Sequence, residues 1–149
     1  MESSSPVRVL VVAHKTAATR PLIEAVRKRA KKGPCTFTLV VPKAAHGLHR
    51  VVDPEDQQHG EAKAVLDQAL PLLSEAAGSK VEGLIGAHEP LNAIQDAVNI
   101  EGFDEIIIST LPARVSRWLR LDLPHKLTGL GLPVTTVTPS EEEVEQAAS

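Results

Sequence analysis

The sequence predicts a doubly wound α/β fold built on a parallel sheet of five strands. Five short apolar runs rich in β-branched residues alternate with stretches whose apolar residues recur at a period near 3.6, and Gly or Pro falls at the junctions. Such alternation needs crossover helices, so neighbouring strands run parallel, connections are right-handed, and helices cover both faces of the sheet.

Val7 to Ala13 is the first strand, a nearly unbroken apolar run. Leu22, Val26 and Ala30 mark the buried stripe of the first helix, with Thr19 placed to cap it, Pro21 in its opening turn and Gly33-Pro34 ending it. Its basic residues, Arg20, Arg27, Lys28, Arg29, Lys31 and Lys32, read as the solvated side of a sheet-packed helix. Thr36 to Val41 is the second strand, with Cys35 at its start as a buried apolar thiol. Pro42 to Gly60 reads as a long connection of mixed polarity. Ala62, Val65, Leu66, Ala69, Leu72, Leu73 and Ala76 form the stripe of the second helix, which Gly78 ends; Pro71 inside it predicts a kink or a break near Ala69. Val81 to Ile85 is the third strand, Leu91, Ile94 and Val98 belong to the third helix, and Gly102 ends that helix before Phe103 and the fourth strand, Glu105 to Ile108. Asp122 reads as the cap of a short last helix with Pro124 in its first turn, and Val134 to Thr138 as the final strand. The chain thus divides into a disordered start (1–6), one α/β domain (7–139) and an acidic tail (140–149) with too little apolar surface to dock.

Composition narrows the function classes. A chain of 149 residues supports one core, burying roughly 70% of its extended surface. The balance of 16 Lys plus Arg against 19 Asp plus Glu, a net charge of −3, gives no strong pull toward nucleic acid or a membrane surface, and neither is an expected partner. One cysteine cannot form an internal disulfide, the opening Met-Glu-Ser-Ser-Ser-Pro is acidic, and Val9 to Ala13 is too short for a signal or membrane segment, which together imply a cytoplasmic protein. The sequence lacks a Gly-x-Ser-x-Gly elbow, a Walker lysine loop and a Gly-x-Gly-x-x-Gly after its first strand.

The residues that carry chemistry follow the fourth strand. Ser109 to His125 leaves the carboxyl end of a central strand, where open α/β sheets bind ligands, and it carries two hydroxyls at Ser109 and Thr110 and arginines at 114, 117 and 120. Such a loop suits an anion, although it has no glycine to form a tight backbone cradle. The arginines recur every three residues around Trp118 and Leu119, which reads as a small amphipathic turn with Trp118 packed on the sheet edge or a partner. His46, His49 and His59 near Asp53, Glu55 and Asp56 lack the spacing of a zinc set, so no metal is expected; His88 and His125 read as surface residues.

The chain resembles the universal stress protein family. Pro90-Leu91-Asn92-Ala93-Ile94, Ala97 and Gly102-Phe103-Asp104-Glu105-Ile106-Ile107-Ile108 are similar to its Pro-x-x-x-Ile, helix, Gly-x-Asp, buried-strand signature, and Val115-Ser116-Arg117 is followed at the matching distance by Leu132-Pro133-Val134-Thr135-Thr136-Val137. The likeness spans about Val7 to Pro139 and implies the strand order 3-2-1-4-5, which sets the end of strand one at His14 beside the end of strand four at Ser109. Members that bind ATP carry Gly-x-x-Gly, nine residues, Gly-Ser/Thr after strand four; here those positions are Ser109, Pro112, Asp122 and Leu123, and the aspartate that meets the nucleotide is replaced by His14. The resemblance implies a regulatory binding module for ATP, AMP, another nucleotide or a phosphate-bearing ligand, with ATP binding altered or lost. The rival class is a small enzyme acting on a phosphorylated compound in the same crevice. The candidate contacts are His14, Thr16, Val41, Ser109, Thr110, Arg114, Ser116 and Arg117. The family also pairs through its last strand, which implies a homodimer across Val134 to Thr138.

Overall fold

The central strand, β1 (Val7–Val12), is flanked by β2 (Cys35–Pro42) on one side and β4 (Glu105–Ser109) on the other in a computed structural model that describes residues 6–43, 54–112 and 114–148. With β3 (Glu82–Gly86) and β5 (Val134–Val137) outside them, the sheet has the order β3-β2-β1-β4-β5, and every pair is parallel. This is the expected order, and the strand ends shift from those read in the sequence by one residue.

Side-chain alternation divides the core in two. On one face Val9, Val11, Leu39 and Val41 meet Leu22 and Val26 of α1 (Arg20–Ala30) and Leu66, Ala69 and Leu73 of α2 (Pro54–Ala77). On the other, Leu10, Val12, Ile106 and Ile108 meet Ala93, Ile94 and Ala97 of α3 (Pro90–Glu101) and Leu123 and Leu127 of α5 (Leu123–Thr128), which follows the short α4 (Arg117–Arg120). Two glycines in β3 let helices approach from both faces. A Cβ at Gly83 would meet Leu70 at 2.9 Å and Leu66 at 3.0 Å, and one at Gly86 would meet the Ala93 Cβ at 2.6 Å.

Several local expectations change. The helix after the second strand starts at Pro54, inside the expected connection, and it continues through Pro71 without the break expected near Ala69. Pro71 lies on the exposed side, and the carbonyl its missing N–H leaves unbonded belongs to exposed Asp67, where water can replace the bond. Thr19 occupies the N-cap of α1, yet its hydroxyl donates to the Thr16 carbonyl at 2.7 Å and caps nothing. Cys35 is half-buried; burial pushes its thiol up from the ordinary value while Arg29 draws it down. Arg29 is not simply solvated: it forks onto the Glu105 carboxylate, Nε at 2.9 Å and Nη2 at 3.2 Å, joining α1 to the start of β4. His46, His49 and Asp53, like residues 1–5, lie outside the described residues, as do the side chains of Glu55, Asp56 and His59.

The residues read as a frayed tail form α6 (Glu141–Ala148). Ser140 and Glu143 make a reciprocal cap, the Ser140 hydroxyl accepting from the Glu143 amide at 3.1 Å and the Glu143 carboxylate from the Ser140 amide at 2.9 Å. The far end of the helix is held where the Gln68 side-chain amide donates to the Ala147 carbonyl at 3.0 Å.

Asp122 precedes α5 as expected, but in a left-handed conformation (φ 59°, ψ 36°) and with no hydrogen bond from its side chain to the helix. It is the one non-glycine residue at positive φ among the described residues, at a position where the resembling family has glycine. Asp122→Gly should therefore raise the stability measured by urea unfolding by about 0.5–1 kcal/mol, the strain relieved less the extra freedom glycine gives the unfolded chain.

Candidate functional site

Winding outward from β1 toward β2 in one half of the chain and toward β4 in the other leaves a crevice at the carboxyl ends of β1 and β4. A cleft of about 320 Å³ occupies it, within the range of small-ligand sites. His14, Lys15 and Thr16 line it from the end of β1, Pro42 and Lys43 from β2, His88 from the segment after β3, and Glu61 from α2. Ser109, Leu111, Val115, Ser116, Arg117 and Trp118 close it from β4 and the loop beyond.

The floor is a hydroxyl pair. Thr16 Oγ1 donates to the Ser109 carbonyl at 3.2 Å and shares a 2.7 Å hydrogen bond with the Ser109 hydroxyl. Both side chains are buried, so this pair stitches β1 to β4 where the two loops diverge. The Ser116 hydroxyl accepts from the Leu119 amide at 3.1 Å as the cap of α4. The Pro112 carbonyl accepts from the Val115 amide at 2.9 Å, closing a turn.

Of the eight residues expected here, His14, Thr16, Ser109, Ser116 and Arg117 line the cleft and three do not. Val41 is wholly buried in the core, because the strand alternation that aims Pro42 at the crevice turns Val41 to the helices. Thr110 is buried beside β5, its hydroxyl 3.1 Å from that of Thr138. Arg114 points to α6, where Nη2 donates to the Glu141 carboxylate at 2.6 Å. Arg117 does line the cleft and also meets Glu89 at 3.4 Å.

The sequence reading missed Lys15, Pro42, Lys43, Glu61, His88, Leu111, Val115 and Trp118 as cleft residues. Applying the strand-end rule to β2 and β3 as well as β1 and β4 would have found Lys43 and His88. Glu61 falls between the expected connection, Pro42 to Gly60, and the apolar stripe that begins at Ala62, with nothing in its spacing to aim it at the crevice. Trp118, expected on the sheet edge or against a partner, packs instead on the core cluster shared by α3 and α5 and presents its remaining surface to the cleft.

His14 sets the electrostatics. Burial lowers its pKa below the ordinary imidazole value, Glu61 opposes that shift, and Lys15 adds to it. Its Nδ1 is buried without a hydrogen-bond partner, which the neutral ring tolerates better than the charged one.

No protein-family model matches the sequence, and no curated protein does. Solved structures match the fold. A universal stress protein from Archaeoglobus fulgidus is 18% identical, with a TM-score of 0.60 over 88% of this chain and 93% of its own. A protein of the universal stress protein family from Burkholderia pseudomallei is 15% identical, with a TM-score of 0.62 over 91% and 98%. A family protein from Arabidopsis thaliana, with AMP bound, is 16% identical, with a TM-score of 0.57 over 93% and 95%. The resemblance read from Pro90 to Ile108 thus holds at the level of the fold.

The lowered pKa of His14 has a stability consequence. The unfolded chain binds a proton at His14 more readily than the folded one, so folding loses stability as pH falls below about 6.5, progressively until the folded ring also titrates. Denaturant midpoints between pH 8 and pH 5 should drop further for the wild type than for His14→Gln, since the other histidines are common to both.

Proposed function

We propose that the chain is a cytoplasmic binding module of the universal stress protein type, taking a nucleoside monophosphate or a similarly small phosphate-bearing ligand in the switch-point cleft. One observation carries this reading: a cleft of ligand size, where the fold parts two strand ends, is lined by Lys15, Lys43 and Arg117, the last also paired with Glu89, and by one carboxylate, Glu61. The Arabidopsis neighbour of the same fold carries AMP.

The triphosphate cradle is the part of the family pattern least supported. The Ser109 hydroxyl is committed to Thr16, Pro112 has no N–H, and Arg114 is taken by Glu141. A ligand therefore gains little from phosphates beyond the first. Isothermal calorimetry with AMP, ADP, ATP and cyclic nucleotides should give saturable binding of AMP, with ATP no tighter despite its greater charge. Product analysis on the same mixtures should find the nucleotide intact; steady hydrolysis or group transfer would replace this reading with the enzyme one.

A homodimer through β5 completes the proposal. β5 is an edge strand, and its Pro133 and Val137 carbonyls accept from Ile106 and Thr110 on the β4 side. Alternation then turns the amides of Val134 and Thr136 outward, available to a symmetry mate running antiparallel. Sedimentation should give twice the 15.9 kDa of the chain. Thr136→Pro removes an outward donor and no bond to β4, so it should yield a folded monomer; a proline variant that stays dimeric excludes this edge.

A further inference from the structure

The two walls of the cleft differ in chemistry. The strand-end wall carries His14, Lys15, Lys43 and His88, with Glu61 of α2, near enough to His14 to influence it, as the one carboxylate of the lining. The loop wall, where the resembling family has its glycine-rich phosphate cradle, presents Leu111, Val115 and Trp118, and its one cation, Arg117, already faces Glu89. An aromatic platform thus stands where the glycine-rich phosphate cradle is expected, and ammonium groups stand at the ends of β1 and β2. The backbone of Lys43 is held where its amide donates to the Gly86 carbonyl at 3.0 Å. Lys15 is exposed and forms no ion pair among the described residues.

We infer that a nucleoside monophosphate lies in this cleft with its base against Trp118 and its phosphate at the ends of β1 and β2, opposite in direction to that implied by the glycine-loop pattern. The inference rests on the proposed function and adds the orientation. Trp118 is half-buried and anchored on the α3 and α5 core while lining the cleft, so little side-chain freedom is lost when a base stacks on it. A base offers its π-face whatever its identity, so the platform selects a planar ring and tolerates different bases. Lysines suit the other end, as compact charges that follow a phosphate without demanding the two-pronged geometry of arginine.

Trp118 is the chain's sole tryptophan, so its emission reports on this wall alone. The probes are AMP and ribose 5-phosphate, which shares the phosphate and lacks the base. AMP should change Trp118 emission saturably over the concentrations that give calorimetric heat. Ribose 5-phosphate should compete with AMP and leave the emission unchanged. Trp118→Leu should weaken AMP by about five-fold or more and ribose 5-phosphate by less than about two-fold, while Trp118→Phe retains most of the AMP affinity. Lys15→Ala, at an exposed position, should weaken both probes alike. AMP binding by calorimetry with no change in emission, or Lys15→Ala without effect on either probe, overturns the orientation and leaves the binding reading standing. Absence of AMP heat overturns both. Should Trp118→Leu fail to fold by circular dichroism, the contrast between the two probes on the wild-type emission decides.

Discussion

The parallel pairing of β1 with both β2 and β4 is the constraint on which the rest of the molecule depends. It buries Val9 to Val12 on both edges and both faces and forces the two halves of the chain to wind outward in opposite directions. The helices after β1 and β4 consequently lie on opposite faces, and their connecting loops part at the carboxyl ends of the strands. A polar floor at that point has to be satisfied internally, and the Thr16 and Ser109 hydroxyls do so by bonding each other and the Ser109 carbonyl. The cleft is thus a product of topology before it is a product of any motif.

The loop beyond β4 supports itself without a glycine. Asp122 still takes the left-handed turn, Leu123 turns into the core beneath it, and Pro112 and Ser116 close a turn and cap a helix. The Pro112 turn, the Ser116 cap and the Leu123 contact are all internal to the loop and the core. The loop becomes a self-supporting wall, and Trp118 gives that wall its surface. Backbone shape and phosphate-binding capacity are therefore separable: the first needs one residue able to adopt positive φ, the second needs unengaged N–H and O–H groups.

The elements whose apolar residues follow one clear period were legible in the sequence: all five strands, α1, α3 and the proline-opened α5. Where periodicity was weak or composition suggested the opposite, reading failed. The early turns of α2 carry Glu, Asp, Gln and His in place of an apolar stripe, and its proline sits on the solvent side, where a missing bond is cheap to replace with water. α6 held a visible Ser-x-x-Glu cap at Ser140 and Glu143, but its run of acids outweighed that local signal. In the site, the strand-end rule located His14 and Ser109 correctly and would have reached Lys43 and His88. It could not decide which way Val41 and Thr110 pointed, since a shift of one residue along a strand reverses the side chain.

Arginines are the hardest residues to place from sequence, because a cation awaiting an anion and a cation already paired read alike. In the loop, Glu141 from α6 takes Arg114 and Glu89 ahead of α3 faces Arg117. Both pairs are exposed, and surface pairs of this kind contribute about 0–1 kcal/mol to folding. Their consequence is positional. They engage two arginines on the β4 side of the crevice, whereas Lys15, at the end of β1, forms no ion pair among the described residues. The acids that accomplish this lie 27 residues beyond Arg114 and 28 before Arg117, separations that only the folded chain closes. A local motif thus misplaces the charge of this site, and the sheet topology together with the C-terminal helix determines where it lies.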